Sequence, residues 1–221
     1  MKTAEDIYDE YKIMPSLQLH QLRVAAVGKL ICESFKEAVD QRTVVSACLF
    51  HDMGNILKFD LAVFPEFLEP QGLSYWQSVK ADYEKKYGTD QHAATLQIAR
   101  ELGLSDFTIT CIDAVAFSKA EKTLAEGSWE EKICEYADTR VGPRGVLPMV
   151  ERLEEGRKRY LDRQVKTGVN VPQDRFDQLL EVERKMEQQI FSHASVRPEA
   201  IIDESIDPMI RELRNYPVDE T

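Results

Sequence analysis

The chain has 221 residues, 43% hydrophobic and 30% charged, with a formal net charge of −11. That length suits one sizeable core, and the apolar share excludes a disordered chain. The negative charge excludes a nucleic-acid polymer as main partner, since that binding rests on Lys and Arg, but it leaves room for a small phosphorylated ligand.

No apolar run approaches the roughly 18 residues of a membrane span, so no membrane partner is expected. The opening MKTAEDIYDEYK is acidic and polar, unlike a secretory signal, and the expectation is a cytoplasmic protein. Cys32, Cys48, Cys111 and Cys134 are widely spaced with no CxxC pair, which predicts reduced core thiols rather than disulfides.

The periodicity is helical almost throughout. LQLHQLRVAAVGKLICESFKEAV places Leu19, Leu22, Ala26 and Leu30 on one stripe widened by Val27, Ile31 and Phe35, which predicts a first helix. RTVVSACLFHDMG is apolar nearly all round and reads as a central helix. Leu61–Ser74 carries Pro65, Pro70 and Gly72, which predicts a loop or broken helix. WQSVKADYEKKYG is a helix ended by Gly88, and DQHAATLQIARELGLSD is another with Asp90 as N-cap and Gly103 as stop. DFTITCIDAVAFSKA and WEEKICEYADTRVG follow as buried helices, then VLPMVERLEEGRKRYL as a more polar one. A loop is expected around KTGVNVPQD, followed by the amphipathic RFDQLLEVERKMEQQIFSHA and a final helix in PEAIIDESIDPMIRELRNY. No convincing strand or repeat is present, so the expected class is all-α. A composition change near Gly142–Val146 divides an apolar bundle, residues 1–142, from a charged extension, 143–221, expected to pack on the same core. The helix over 175–194 is expected to cover that core or to pair with a second subunit in a homodimer.

The four histidines are His20, His51, His92 and His193. Taken singly, each fits an ordinary core or surface position, and His193 is expected to be exposed. Taken together they suggest more. His20 lies mid-helix between leucines, and His51–Asp52 closes the most apolar helix. Asp138 sits on a mostly apolar helix, where a carboxylate requires a partner. Imidazoles and carboxylates from facing helices are what a bundle uses to hold a divalent cation.

LHQLRVAAVGKLI, ACLFHDMGN, DQHAATLQIARELGL and EYADTRVG, in that order, resemble the HD-domain superfamily of metal-dependent phosphohydrolases over about residues 14–142. The resemblance implies an HD-domain-like helical bundle with His20, His51, Asp52 and Asp138 on one divalent cation (Mn, Fe, Co, Ni, Zn or Mg). It implies hydrolysis of a phosphomonoester or phosphodiester, such as a nucleotide, by activated water. His92 matches a further His that serves a second ion in two-metal members. Ser118 and Lys119 stand where such members have another His, so one metal per chain is expected. Asn55 replaces a Lys or Glu of related members; it can hydrogen-bond water or phosphate but cannot take a proton.

Lys58 and Lys119 are the first candidates for the phosphate, with Arg140 and Arg144 next. Asp113, Asp60 and Glu66 are candidate supporting acids. Phe64, Phe67, Tyr75 and Trp76 are candidate pocket or lid aromatics. Two other readings are carried: a di-iron oxygenase of the same superfamily, which two irons per chain would select, and a non-catalytic sensor stabilised by metal.

Overall fold

The structure is a computed structural model that describes residues 2–167 and 173–218. Its class is all-α. Strand β1 (Lys2–Thr3) pairs antiparallel with β2 (Pro217–Val218), Lys2 opposite Val218. Helix α1 (Ala4–Glu10) follows, opened by a reciprocal cap between Thr3 and Asp6; the sequence reading missed both features. The T-x-x-D spacing was the available signal.

Helix α2 (Pro15–Ser34) begins on a proline, which needs no partner for its missing N–H there. Helix α3 (Gln41–Phe50) starts where Asp40 accepts the Thr43 N–H. It packs against α2 and is buried along its apolar length, with Val44, Ala47, Cys48, Leu49 and Phe50 each 0% exposed. The segment after it is irregular as expected, with 3-10 turns at Asn55–Lys58 and Pro65–Leu68. Helices α4 (Leu73–Tyr87) and α5 (Gln91–Glu101) end at positive-φ Gly88 and near positive-φ Gly103. Asp90 caps α5 by accepting from His92 and Ala93 N–H.

One predicted helix divides. Helix α6 (Asp106–Ala114) stops, and a 3-10 turn at Phe117–Lys119 leads into α7 (Ala120–Glu126). Lys119 Nζ reaches back to donate to the Asp113 carbonyl at 2.8 Å, so a side chain satisfies a carbonyl that the continuing helix would have taken. Helix α8 (Trp129–Asp138) opens with the Ser128/Glu131 reciprocal cap. Helices α9 (Met149–Thr167), α10 (Gln173–His193) and α11 (Asp203–Arg214) complete the chain. Of the loop expected between α9 and α10, residues 168–172 lie outside the described residues.

Met186 and Ile190 of α10 and Ile206 and Leu213 of α11 belong to the same apolar cluster as α2, α3 and α8. Where α8 meets α10 the contact is partly polar: Tyr136 packs on Phe191, but Glu135 and Glu183 beside them are 1% and 0% exposed. No N–H or O–H donor reaches any of their four oxygens. Burial raises both carboxyls, and Glu183 raises Glu135 further by facing it. All four cysteines are free and buried. Among the described residues no helix is long and apolar enough to cross a membrane.

Candidate metal centre

Three helices bring the sequence-distant candidates together. At Gly28 a Cβ would stand 3.0 Å from Val44 Cγ1 and 3.2 Å from Cys48 Sγ, so the glycine lets α2 lie close on α3. His20, two turns earlier on α2, thereby comes beside His51, with ring centroids 5.4 Å apart. The doublet follows directly on α3. Its turn is held by two buried groups: Gln21 Oε1 accepts the Asp52 N–H at 3.2 Å, and Thr95 Oγ1 accepts the Gly54 N–H at 2.9 Å. A Cβ at Gly54 would collide with the Gln91 carbonyl oxygen, so only glycine lets this turn rest on α5.

His51 Nδ1 lies 2.8 Å from the Cys48 carbonyl. A carbonyl only accepts, so Nδ1 carries the proton and the neutral ring presents a bare lone pair at Nε2. That atom is buried and has no hydrogen-bond partner. Around it stand Asp138 Oδ1 at 3.4 Å and Asp52 Oδ2 at 3.6 Å. His20 Nε2 lies 3.1 Å from Asp138 Oδ1 and 3.6 Å from Asp52 Oδ2. Ligands about 2.1 Å from one ion are separated by roughly 3.0–3.4 Å in octahedral or tetrahedral sites. The ring of four matches that spacing within a few tenths of an ångström, and the donor set of two imidazoles and two carboxylates suits a first-row divalent metal. His20, His51 and Asp52 form the tightest part, each offering a ligand atom within 4.8 Å of the others.

The surroundings demand positive charge. Burial opposes an imidazolium at His51, yet Asp52 and Asp138 outweigh burial and raise its pKa to about 10. Burial likewise opposes the Asp138 carboxylate, but His20 and His51 outweigh it and hold its pKa well below the usual range. A proton or a divalent cation answers the same demand.

The ring lies in the wall of a cavity of about 750 Å³. Asn55, 4% exposed, and Lys58, one turn beyond it, line this cavity. Lys58 is exposed and has no ion-pair partner among the described residues. His92 and Lys119 also line it, but they are engaged with Asp113. His92 Nε2 donates to Asp113 Oδ1 at 2.7 Å, and Lys119 Nζ donates to the same oxygen at 2.6 Å. Burial raises Asp113, but Lys119 and His92 prevail and lower its pKa. His92 is therefore tied to Asp113 and stands apart from the group formed by His20, His51 and Asp52. Lys119 is a paired cation, not a free one. Phe64, Phe67 and Asp60 line the cavity as well.

Several expected positions lie elsewhere. Arg140, expected to hold phosphate, is 2% exposed and uses its guanidinium on structure. Nε donates to Leu147 O (2.6 Å), Nη1 to Tyr136 Oη (2.8 Å) and Pro198 O (3.1 Å), and Nη2 to Ile201 O (2.9 Å). Its position two residues past Asp138 turns it toward the extension. Arg144 is surface-exposed and pairs with Glu66 at 3.4 Å; neither lines the cavity. Trp76 is core, donating to Leu68 O, and Tyr75 is exposed beside it. His193 is half-buried rather than exposed: it packs on Trp129 and its Nδ1 bonds Glu37 at 2.7 Å. Two cavity-lining cations escaped the sequence reading, Arg152 and Arg159 of α9. Seven residues apart, they share one helix face, and that repeat was the only signal.

No protein-family model matches the chain, and neither a curated protein nor a solved structure does.

Proposed function

We propose that the protein is a metal-dependent phosphohydrolase acting on a small phosphorylated substrate, with His20, His51, Asp52 and Asp138 holding one divalent cation. The observation that carries this reading is the orphaned, buried Nε2 of His51 facing two carboxylates and a second imidazole in the wall of a large cavity. An unpartnered buried nitrogen of this kind costs stability unless something binds it.

When bound, a divalent cation supplies Lewis acidity, polarising a phosphoryl oxygen and making water acidic enough to attack near neutral pH. The chain's own groups do the rest. Lys58 and the Asn55 amide orient the phosphoryl group and offset the charge that grows on its oxygens. His92, oriented by Asp113, serves as the proton donor to the leaving oxygen through Nδ1. Lys119 keeps Asp113 ionised and so keeps the His92 ring in place.

Elemental analysis of freshly purified protein, together with hydrolysis of an aryl phosphate after chelation and reloading with Mn, Fe, Co, Ni, Zn or Mg, tests the reading. One metal per chain and metal-restored turnover are expected. Absence of stoichiometric metal, or of turnover across a broad phosphate-ester panel, overturns it.

A further inference from the structure

One short stretch of chain joins the ring of candidate ligands to an apolar wall of the same cavity. Asp52, Asn55 and Lys58 line the cavity in turn, and after them the lining changes character. Of the residues between 59 and 68 that line it, only Asp60 is polar. Its carboxylate is engaged within its own turn, where it accepts the Ala62 N–H at 3.1 Å. Phe64 and Phe67 are stacked in this wall, with ring centroids 5.1 Å apart and planes inclined by 29°. Both are half-buried, yet both stand outside the hydrophobic core of the described residues. They are nevertheless held in place, because α4 ties down both ends of the wall. Lys80 Nζ donates to the Phe59 carbonyl at 2.9 Å, and Trp76 Nε1 donates to the Leu68 carbonyl at 3.0 Å. Leu17, one turn before His20 on α2, extends the apolar surface toward the ring.

A phosphoryl group alone is small beside a cavity of about 750 Å³, a size that suits a ligand with a substantial organic portion. On this wall that portion meets carbon. Two aromatic rings held outside the core keep apolar area in water, at a cost that a ligand of matching chemistry removes. Apart from the engaged Asp60, residues 59–68 set no side-chain donor or acceptor on the lining that would fix the hydroxyls of a sugar. From this juxtaposition we infer that the leaving group of the substrate is a flat, apolar aromatic seated on Phe64 and Phe67. The substrate class is a phosphate ester of an aromatic alcohol, as opposed to a sugar phosphate or a nucleotide. This deepens the reading of the same cavity as a phosphohydrolase site and rests on it.

The test measures binding by calorimetry on the full chain, with metal content determined in parallel. The probes are phosphonates, whose C–P bond survives phosphoester hydrolysis: methyl, phenyl and 1-naphthyl phosphonate, and the isosteric phosphonates of glucose 6-phosphate and AMP. Phenyl phosphonate is expected to bind about ten-fold or more tighter than methyl phosphonate, and the naphthyl compound tighter still. Both sugar-bearing probes should bind more weakly than the naphthyl compound. Replacing both rings, Phe64→Ala with Phe67→Ala, should bring the phenyl and methyl affinities within about two-fold of each other. The methyl phosphonate affinity and the metal content of that variant should stay unchanged, which shows that it folds. Phenyl and methyl affinities within about two-fold of each other in the unaltered protein overturn the inference. Tighter binding of either sugar-bearing probe, or an aromatic preference retained in the double variant, does the same. If metal and turnover are present without the preference, the inference alone falls. If the preference is present but metal and turnover are absent, the phosphohydrolase reading falls and the aromatic seat stands.

Discussion

Asp138 and Glu135 stand one turn apart on α8, and their acidity is settled in opposite ways. Asp138 faces the cavity between two imidazoles and stays ionised well below its ordinary pKa. Glu135 is sealed against Glu183 of α10 with no donor in reach, and burial pushes both pKa values up. One carboxylate is arranged to share a cation; the other pair is arranged to keep a proton. The difference lies in what the neighbouring helix supplies: histidine from α2 and α3 on one side, a second acid from α10 on the other. A buried acid alone is therefore no mark of a functional site. A half-buried acid beside a bare imidazole nitrogen is the stronger candidate.

The contrast breaks most directly at the ring. His51→Ala or Asp138→Ala is expected to lower metal content well below one per chain and to cut turnover by about 10³ or more, read by elemental analysis and aryl phosphate hydrolysis. His92→Ala is the next largest effect. It should retain most of the metal while lowering kcat by about 10²; metal loss equal to that of His51→Ala would place His92 among the ligands instead.

The carboxyl pair responds to pH. The Glu183 pKa is raised from 4.5 to about 7 by burial, with Asp138 and Glu187 adding to the effect. A raised carboxyl stabilises the fold fully below its unfolded pKa, and that contribution is lost as pH rises through about 7. Glu183→Gln removes this loss. Relative to the unaltered protein it should gain stability between about pH 5 and pH 8, by roughly 1–3 kcal/mol. Urea unfolding at several pH values reads the slope, and a pH-independent difference would mean that no proton is held between α8 and α10. The smallest effect belongs to the surface: Arg144→Ala should change stability by less than about 0.5 kcal/mol and leave turnover intact.

The pattern of legibility follows the range of the forces. Asp90, Gly88 and Gly103 act on their own helix ends, so α4 and α5 were readable from local chemistry. The break after α6 was not, because the Lys119 side chain, five residues past its end, takes the open Asp113 carbonyl. His20, His51, Asp52 and Asp138 were legible as polar exceptions on apolar segments, and they meet. Arg140 looked like an anion ligand because a lone arginine beside a site acid reads the same whether its acceptors are phosphates or backbone carbonyls. Arg152 and Arg159 failed for the opposite reason: among the many charges of α9, only their seven-residue spacing marks them.

Arg140 carries a consequence for how the molecule comes apart. Three of its four acceptors, the carbonyls of Leu147, Pro198 and Ile201, lie after residue 142. A polypeptide cut at that point would leave a buried guanidinium with a single phenol for company. The apparent boundary in composition is thus a seam that cannot be opened: heating or denaturant should melt both segments in one transition, and residues 1–142 alone should not fold stably.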